Sequence, residues 1–151
     1  MRMRKKPNLQ PRMEKCAAVL LTEPELLKSH WKNQFPQFSR LHVELGCGKG
    51  RFTAETAHVA PEVLLVAIEK VPDAMVVAME RVCALSLNNV RFMDRDVATL
   101  PEIFEKGEVD RIYINFCDPW PKSRDAKYRL TAPDFLRKYA DVLPIGGQIH
   151  F

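Results

Sequence analysis

Four carboxylates close or follow successive apolar runs: Glu44 in LHVEL, Glu69 in VLLVAIE, Asp96 after VRFMD and Asp118 after VDRIYINF. Acids at such intervals can accept hydrogen bonds from hydroxyls and amines, and together they can hold a cation. The first acid runs directly into GCGKG, which places Gly46, Gly48 and Gly50 after an apolar run. Glycines there allow positive φ and a close backbone approach to a nucleotide-type ligand, although the same triplet also serves a plain turn. Glu44 decides which ligand. A carboxylate beside the loop repels a pyrophosphate, and GxGxG departs from the GxGxxG of dinucleotide sites. S-adenosylmethionine carries no phosphate but has a sulfonium and an ammonium, so an acidic loop suits it. Glu69 is then placed to accept from ribose hydroxyls and Asp96 from the adenine amine. Any one of these acids alone reads as an ordinary solvated residue. Their recurrence at successive strand ends argues for a shared site.

The fourth acid stands at a corner. NFCDPWPKSRDAKYRL sets Asp118 before two prolines that flank Trp120, and then offers Lys122, Arg124, Lys127 and Arg129. Proline fixes φ, so the corner is rigid. A carboxylate accepts from guanine N1–H and N2–H₂. Tryptophan can stack on a base or wedge a core, and the cations can take phosphates. Base contact beside a phosphate clamp is the pattern of a nucleic-acid modifying site.

These residues need elements to carry them. The chain alternates between strand and helix patterns. Strands are expected at 41–45, 63–69, 90–94 and 109–116, with a fifth beginning at GQIHF. Helices are expected at about 24–33, 50–59, 72–87 and 101–105. A further helix should open on a Thr131–Asp134 capping box and run to about 142. Such alternation predicts an α/β fold with a mainly parallel sheet flanked by helices. Ligands of these sheets bind beyond the carboxyl ends of the strands, where the strand order reverses. Residues 1–22 read as a basic N-terminal arm, flexible or ordered by a partner over residues 1–15, and 23–151 as the main domain.

With 151 residues the chain suits one core. No apolar run is long enough to span a bilayer, and no apolar segment of a secretory signal follows the basic start, so no membrane association and a cytoplasmic location are expected. The four cysteines form no CxxC pair, so neither a metal site nor a disulfide framework is expected. The net charge of +4 is uneven: residues 1–15 hold six cations against one anion, and residues 120–138 six against two, which leaves a net acidic body. Segregated charge of this kind points to a polyanionic partner.

Glu44 with GCGKG resembles motif I of Rossmann-like class I methyltransferases. FCDPWPKSRDAKYRLT is similar to the DPWPKxRHxKRRL hallmark of the tRNA (guanine-N7)-methyltransferase family, with Asp125 and Tyr128 where the family usually has His and a second Arg. The resemblance covers nearly the whole chain. It implies transfer of a methyl group from S-adenosylmethionine to N7 of the variable-loop guanine in tRNA. It also implies a cofactor site made by Glu44, Gly46, Gly48, Glu69, Asp96 and Asp118, with Asp118 as the catalytic residue. Lys122, Arg124, Lys127 and Arg129 would contact RNA. Family members work as monomers or homodimers and continue for further strands, so this chain is expected to be part of a longer one, its C-terminal strands missing. Two other readings remain open at this point: a non-catalytic RNA-binding module, and an amino-methyltransferase acting on adenine or protein. The intervening Trp120 and the basic tract argue against the latter.

Overall fold

The computed structural model describes residues 5–115 and 121–151. Five strands, β1 (Arg40–Leu45), β2 (Val63–Ile68), β3 (Val90–Met93), β4 (Arg111–Ile114) and β5 (Gln148–His150), form one sheet in the order β3-β2-β1-β4-β5. Every pairing is parallel. β2 is buried along its whole length and β1 from Leu41 onward, as strands covered on both faces must be. The order reverses between β1 and β4, so the expected crevice lies beyond Leu45 and Ile114.

Side-chain alternation sorts the core into two layers. Leu41, Val43, Leu45, Val66 and Ile112 face Leu100 and Ile103 of α5 (Leu100–Ile103) and Tyr139 and Val142 of α6 (Pro133–Val142). Leu65, Ala67 and Phe92 face Ala57 of α3 (Arg51–Val59) and Met75, Met79 and Val82 of α4 (Pro72–Ala84).

Four expectations are corrected. The arm is not free: Leu9–Lys15 forms α1, which lies on α4. There the Lys6 N–H donates to Asp73 at 2.6 Å and Arg12 Nε donates to Glu80 at 2.9 Å. Met13 packs against the α4 layer and Cys16 is buried, so the segment expected to be free contributes side chains to the core of the body. Residues 24–33 do not make one helix. A 3-10 turn at Pro24–Leu27 and α2 (Trp31–Gln34) are separated by Ser29 at φ 69°. Tertiary contacts impose that break. Ser29 donates to Glu105 and Glu108, and buried Trp31 stacks on Phe104 while its indole N–H donates to the Ile103 carbonyl. The helix expected at 72–87 stops at Ala84, and Ser86 takes φ 53°. The Thr131–Asp134 capping box does not form. The N-cap of α6 is Ala132, Pro133 opens the helix, and Asp134 pairs with Arg137 instead.

Gly50 carries the tightest steric constraint. It sits at φ 82°, and a Cβ there would lie 2.6 Å from Ala78 Cβ and 2.7 Å from Ala78 Cα. Gly50→Ala should therefore cost about 3 kcal/mol through strain and overpacking, read as a lowered denaturant midpoint at unchanged slope.

His42, on β1, is 6% exposed, and its Nε2 has no hydrogen-bond partner among the described residues. Burial, helped by the charge of Arg111, pushes its pKa down to about 4 from an ordinary 6.5, against the opposing pull of Asp110. The folded protein thus binds fewer protons here than the unfolded chain, and stability should fall as pH drops from 6.5 toward 4. His42→Phe, which retains an aromatic edge for Tyr113, should remove up to about 3 kcal/mol of that acid sensitivity in urea titrations at pH 4 and 7.

Candidate active site

Glu44, the penultimate residue of β1, pairs in register with Ala67 on β2 and Tyr113 on β4. Its side chain is 0% exposed. Thr53, in the first turn of α3 and also fully buried, donates to Glu44 Oε1 at 2.5 Å. Asn115, just past β4, donates its side-chain amide to Glu44 Oε2 at 3.2 Å. Its own backbone N–H is pinned to the Leu45 carbonyl at 2.9 Å. Burial raises the Glu44 pKa, the two hydrogen bonds lower it, and the Glu69 charge raises it. No cation of the described residues is among these influences.

Glu69 follows β2 and fastens the glycine loop. Its Oε1 accepts the Gly48 N–H at 3.0 Å, and its Oε2 accepts the Val71 N–H at 3.1 Å. The loop is also tied to the sheet, because Gly46 N–H donates to the Ile68 carbonyl at 2.9 Å. Gly46, Gly48 and Gly50 all take positive φ, as the turn reading requires. From α4, Arg81 Nε donates to the Lys49 carbonyl at 3.2 Å. Cys47, wholly buried inside the loop, has its thiol pushed up by burial and by the charges of Glu44 and Glu69.

The structure therefore brings Glu44, Glu69, Gly46 and Gly48 together. Asp96 stands at the end of the neighbouring β3, exposed, with Oδ1 accepting the Ala98 N–H at 2.8 Å as the cap of a short 3-10 turn. Asp118 and Trp120 lie outside the described residues. The basic tract is a 3-10 segment, Ser123–Tyr128. Arg124 and Lys127 are exposed on it and Lys122 is exposed at its N-cap, and Lys127 lies over the Tyr128 ring at 5.1 Å. Arg129 is half-buried and donates to the Pro121 carbonyl. Sequence reasoning missed Thr53, Asn115 and Arg81. Asn115 left a readable trace, a polar residue closing an apolar strand beside the reversal in strand order.

A family model described as "Putative methyltransferase" matches residues 39–151. A tRNA (guanine-N(7)-)-methyltransferase of Exiguobacterium sibiricum is 44% identical over all of this chain and 71% of its own length. One of Listeria monocytogenes serotype 4b is 40% identical over the same shares. The chain belongs to the tRNA (guanine-N(7)-)-methyltransferase family. It spans about seven-tenths of the length of these relatives. Solved structures agree on the fold. TrmN from Thermus thermophilus matches with TM-score 0.61 at 23% identity, over 93% of this chain and 36% of its own. The 16S rRNA methyltransferase KamB matches with TM-score 0.59 at 20% identity, over 77% and 53%. The parallel α/β sheet expected from the strand–helix alternation is thus observed, as is the Rossmann-like class I methyltransferase architecture that the resemblance implied. Among the described residues, no helix is long and apolar enough to cross a membrane, and no cluster of three potential metal ligands occurs.

The donor set at Glu44 and Glu69 fits a cationic nucleoside ligand: two neighbouring carboxylates, a glycine loop, and neutral partners. The same arrangement costs the ligand-free fold. A carboxyl group whose folded pKa is raised stabilises the fold below its ordinary value of 4.5, and that contribution is lost as pH rises through the raised value. Glu44→Gln should therefore melt higher than the parent at neutral pH, and the gain should shrink toward pH 4. Differential scanning calorimetry across that range reads both.

Proposed function

We propose that this chain transfers the methyl group of S-adenosylmethionine to N7 of the variable-loop guanine of tRNA. The observation that carries the reading is the whole-chain identity of 40–44% to relatives of that activity, and the chemistry of the acidic pocket agrees with it. S-adenosylmethionine supplies an electrophilic methyl group on sulfur. Glu44 offers a buried anion to its cationic end, while Gly46 and Gly48 allow the backbone to come close. Glu69 is the acceptor for ribose hydroxyls. Its oxygens each hold one backbone N–H, and each carboxylate oxygen keeps further acceptor capacity. Asp96 retains Oδ2 as an acceptor for the adenine amine.

Guanine N7 carries an available lone pair, so the protein need not remove a proton before attack. Orientation is then its main contribution. Asp118 is assigned to hold the guanine and to offset the positive charge that develops on the base. Lys122, Arg124, Lys127 and Arg129 are assigned to the RNA phosphates, which fix register without reading sequence. Residues 1–22 are assigned as the basic arm and 23–151 as the methyltransferase domain.

The test is incubation of the chain with unmodified tRNA and methyl-labelled S-adenosylmethionine, followed by mapping of the labelled base. Label at guanine N7 is expected. Asp118→Ala should lower the rate by at least about 100-fold without moving the melting temperature. Lys122→Ala and Arg124→Ala should weaken RNA binding and flatten its salt dependence. Label on another atom, or full activity in Asp118→Ala, would overturn the reading. Binding of tRNA without methyl transfer would favour an RNA-binding module instead.

A further inference from the structure

We propose that Thr53 and Asn115 are positioning residues for recognition of the methyl donor: their hydrogen bonds fix both oxygens of Glu44, so that a cationic ligand meets an acceptor already in place. This rests on the methyl-donor reading of the site.

Glu44 and Thr53 are both 0% exposed, so water does not orient the carboxylate. The bonds come instead from two separate elements. Thr53 reaches it from α3 at 2.5 Å, and Asn115 from the end of β4 at 3.2 Å. Asn115 is itself set by its backbone bond to Leu45, the residue after Glu44 on β1. One carboxylate therefore locks the ends of β1 and β4 to the helix that follows the glycine loop.

The chemistry of the partners matters as much as their number. Both are neutral donors. A lysine or arginine in either place would satisfy Glu44 within the protein, and a cationic ligand would then have to break an ion pair. A hydroxyl and an amide steady the anion without cancelling it. Among the described residues, the titratable groups facing Glu44 are Glu69 from the end of β2 and the Cys47 thiol within the loop, with Tyr113 beside it on β4. None supplies positive charge, and Glu69 adds to the negative field.

The experiment is calorimetric titration of the whole chain with two probes, S-adenosylmethionine and 5′-methylthioadenosine. The second keeps the nucleoside thioether but lacks both the sulfonium and the amino-acid group. Thr53→Val and Asn115→Ala should each bind S-adenosylmethionine roughly 10-fold more weakly while leaving 5′-methylthioadenosine affinity unchanged within about twofold. Thr53→Ser should restore the parent affinity. In both weakened variants, the acid-side loss of S-adenosylmethionine binding should move to higher pH, since each lost donor favours the protonated carboxyl. Equal weakening toward both probes would mean a merely structural role and would overturn the proposal, as would unchanged affinity for both. Failure of the parent chain to bind S-adenosylmethionine would instead remove the methyl-donor reading and the proposal with it. Thermal melts of each variant separate loss of binding from loss of fold. Should Thr53→Val fail to fold, Asn115→Ala alone decides.

Discussion

An ionisable carboxylate with no exposed surface and no described cation acting on it is an expensive thing to fold around. Glu44 is such a group, and a second acid, Glu69, stands close enough to raise its pKa further. Removing a carboxylate from water costs several kcal/mol unless partners repay it, and two neutral hydrogen bonds repay only part. An internal salt bridge would have been the stable solution. Leaving the position short of positive charge makes sense when the missing charge arrives with a ligand. The electrostatic penalty of the buried acid then becomes selectivity for a cation.

That arrangement works only if the loop beside the acids keeps its shape, and α4 supplies the frame. Ala78 leaves just enough room for Gly50, Arg81 holds the Lys49 carbonyl, and the Val71 N–H at the N-cap of α4 binds one oxygen of Glu69. The same helix is braced by the N-terminal segment through Asp73 and Glu80. A loop fastened to a packed helix is more precise than one fastened only to its flanking chain, and pre-placed acceptors need little reorganisation when a ligand arrives.

Much of this was legible in residue patterns because strands buried on both faces announce themselves. VLLVAI is apolar at every position and is β2, and the run after Arg40 differs only in carrying His42 and Glu44 where a core would take an aliphatic. Glu44 beside GCGKG could be singled out for that reason. Thr53 could not. A threonine one turn into an amphipathic helix looks like any small core residue, and only the parallel register and the fold of the loop bring its hydroxyl to a carboxylate nine positions earlier. The N-terminal helix was hidden for another reason. Its apolar stripe is short and lies among cations and prolines, and it becomes helical through contacts with α4, some 60 to 70 residues later in the chain. Ser29 shows the converse, a local pattern that favours helix being overruled by acids at 105 and 108. Local signals set the periodic elements, and non-local polar contacts set the exceptions.

The charge map suits two ligands of opposite sign, as the proposed function requires. The acids at the ends of β1 and β2 would repel an RNA backbone, whereas Lys122, Arg124 and Lys127 stand exposed at the N-cap of, and on, the 3-10 segment that follows β4 in the chain. A polyanion steered to that basic segment is held away from the carboxylates by the same field that draws a cationic nucleoside toward them. A neutral base, unlike a phosphate, can approach the acids without electrostatic opposition. β1, which carries Glu44, and β4, which leads toward the basic segment, are neighbours in the sheet although more than 60 residues separate them in the chain. If the proposed roles of the acids and the basic segment hold, separation of charge by topology selects which part of a nucleic acid reaches the methyl donor, before any contact to a particular base is made.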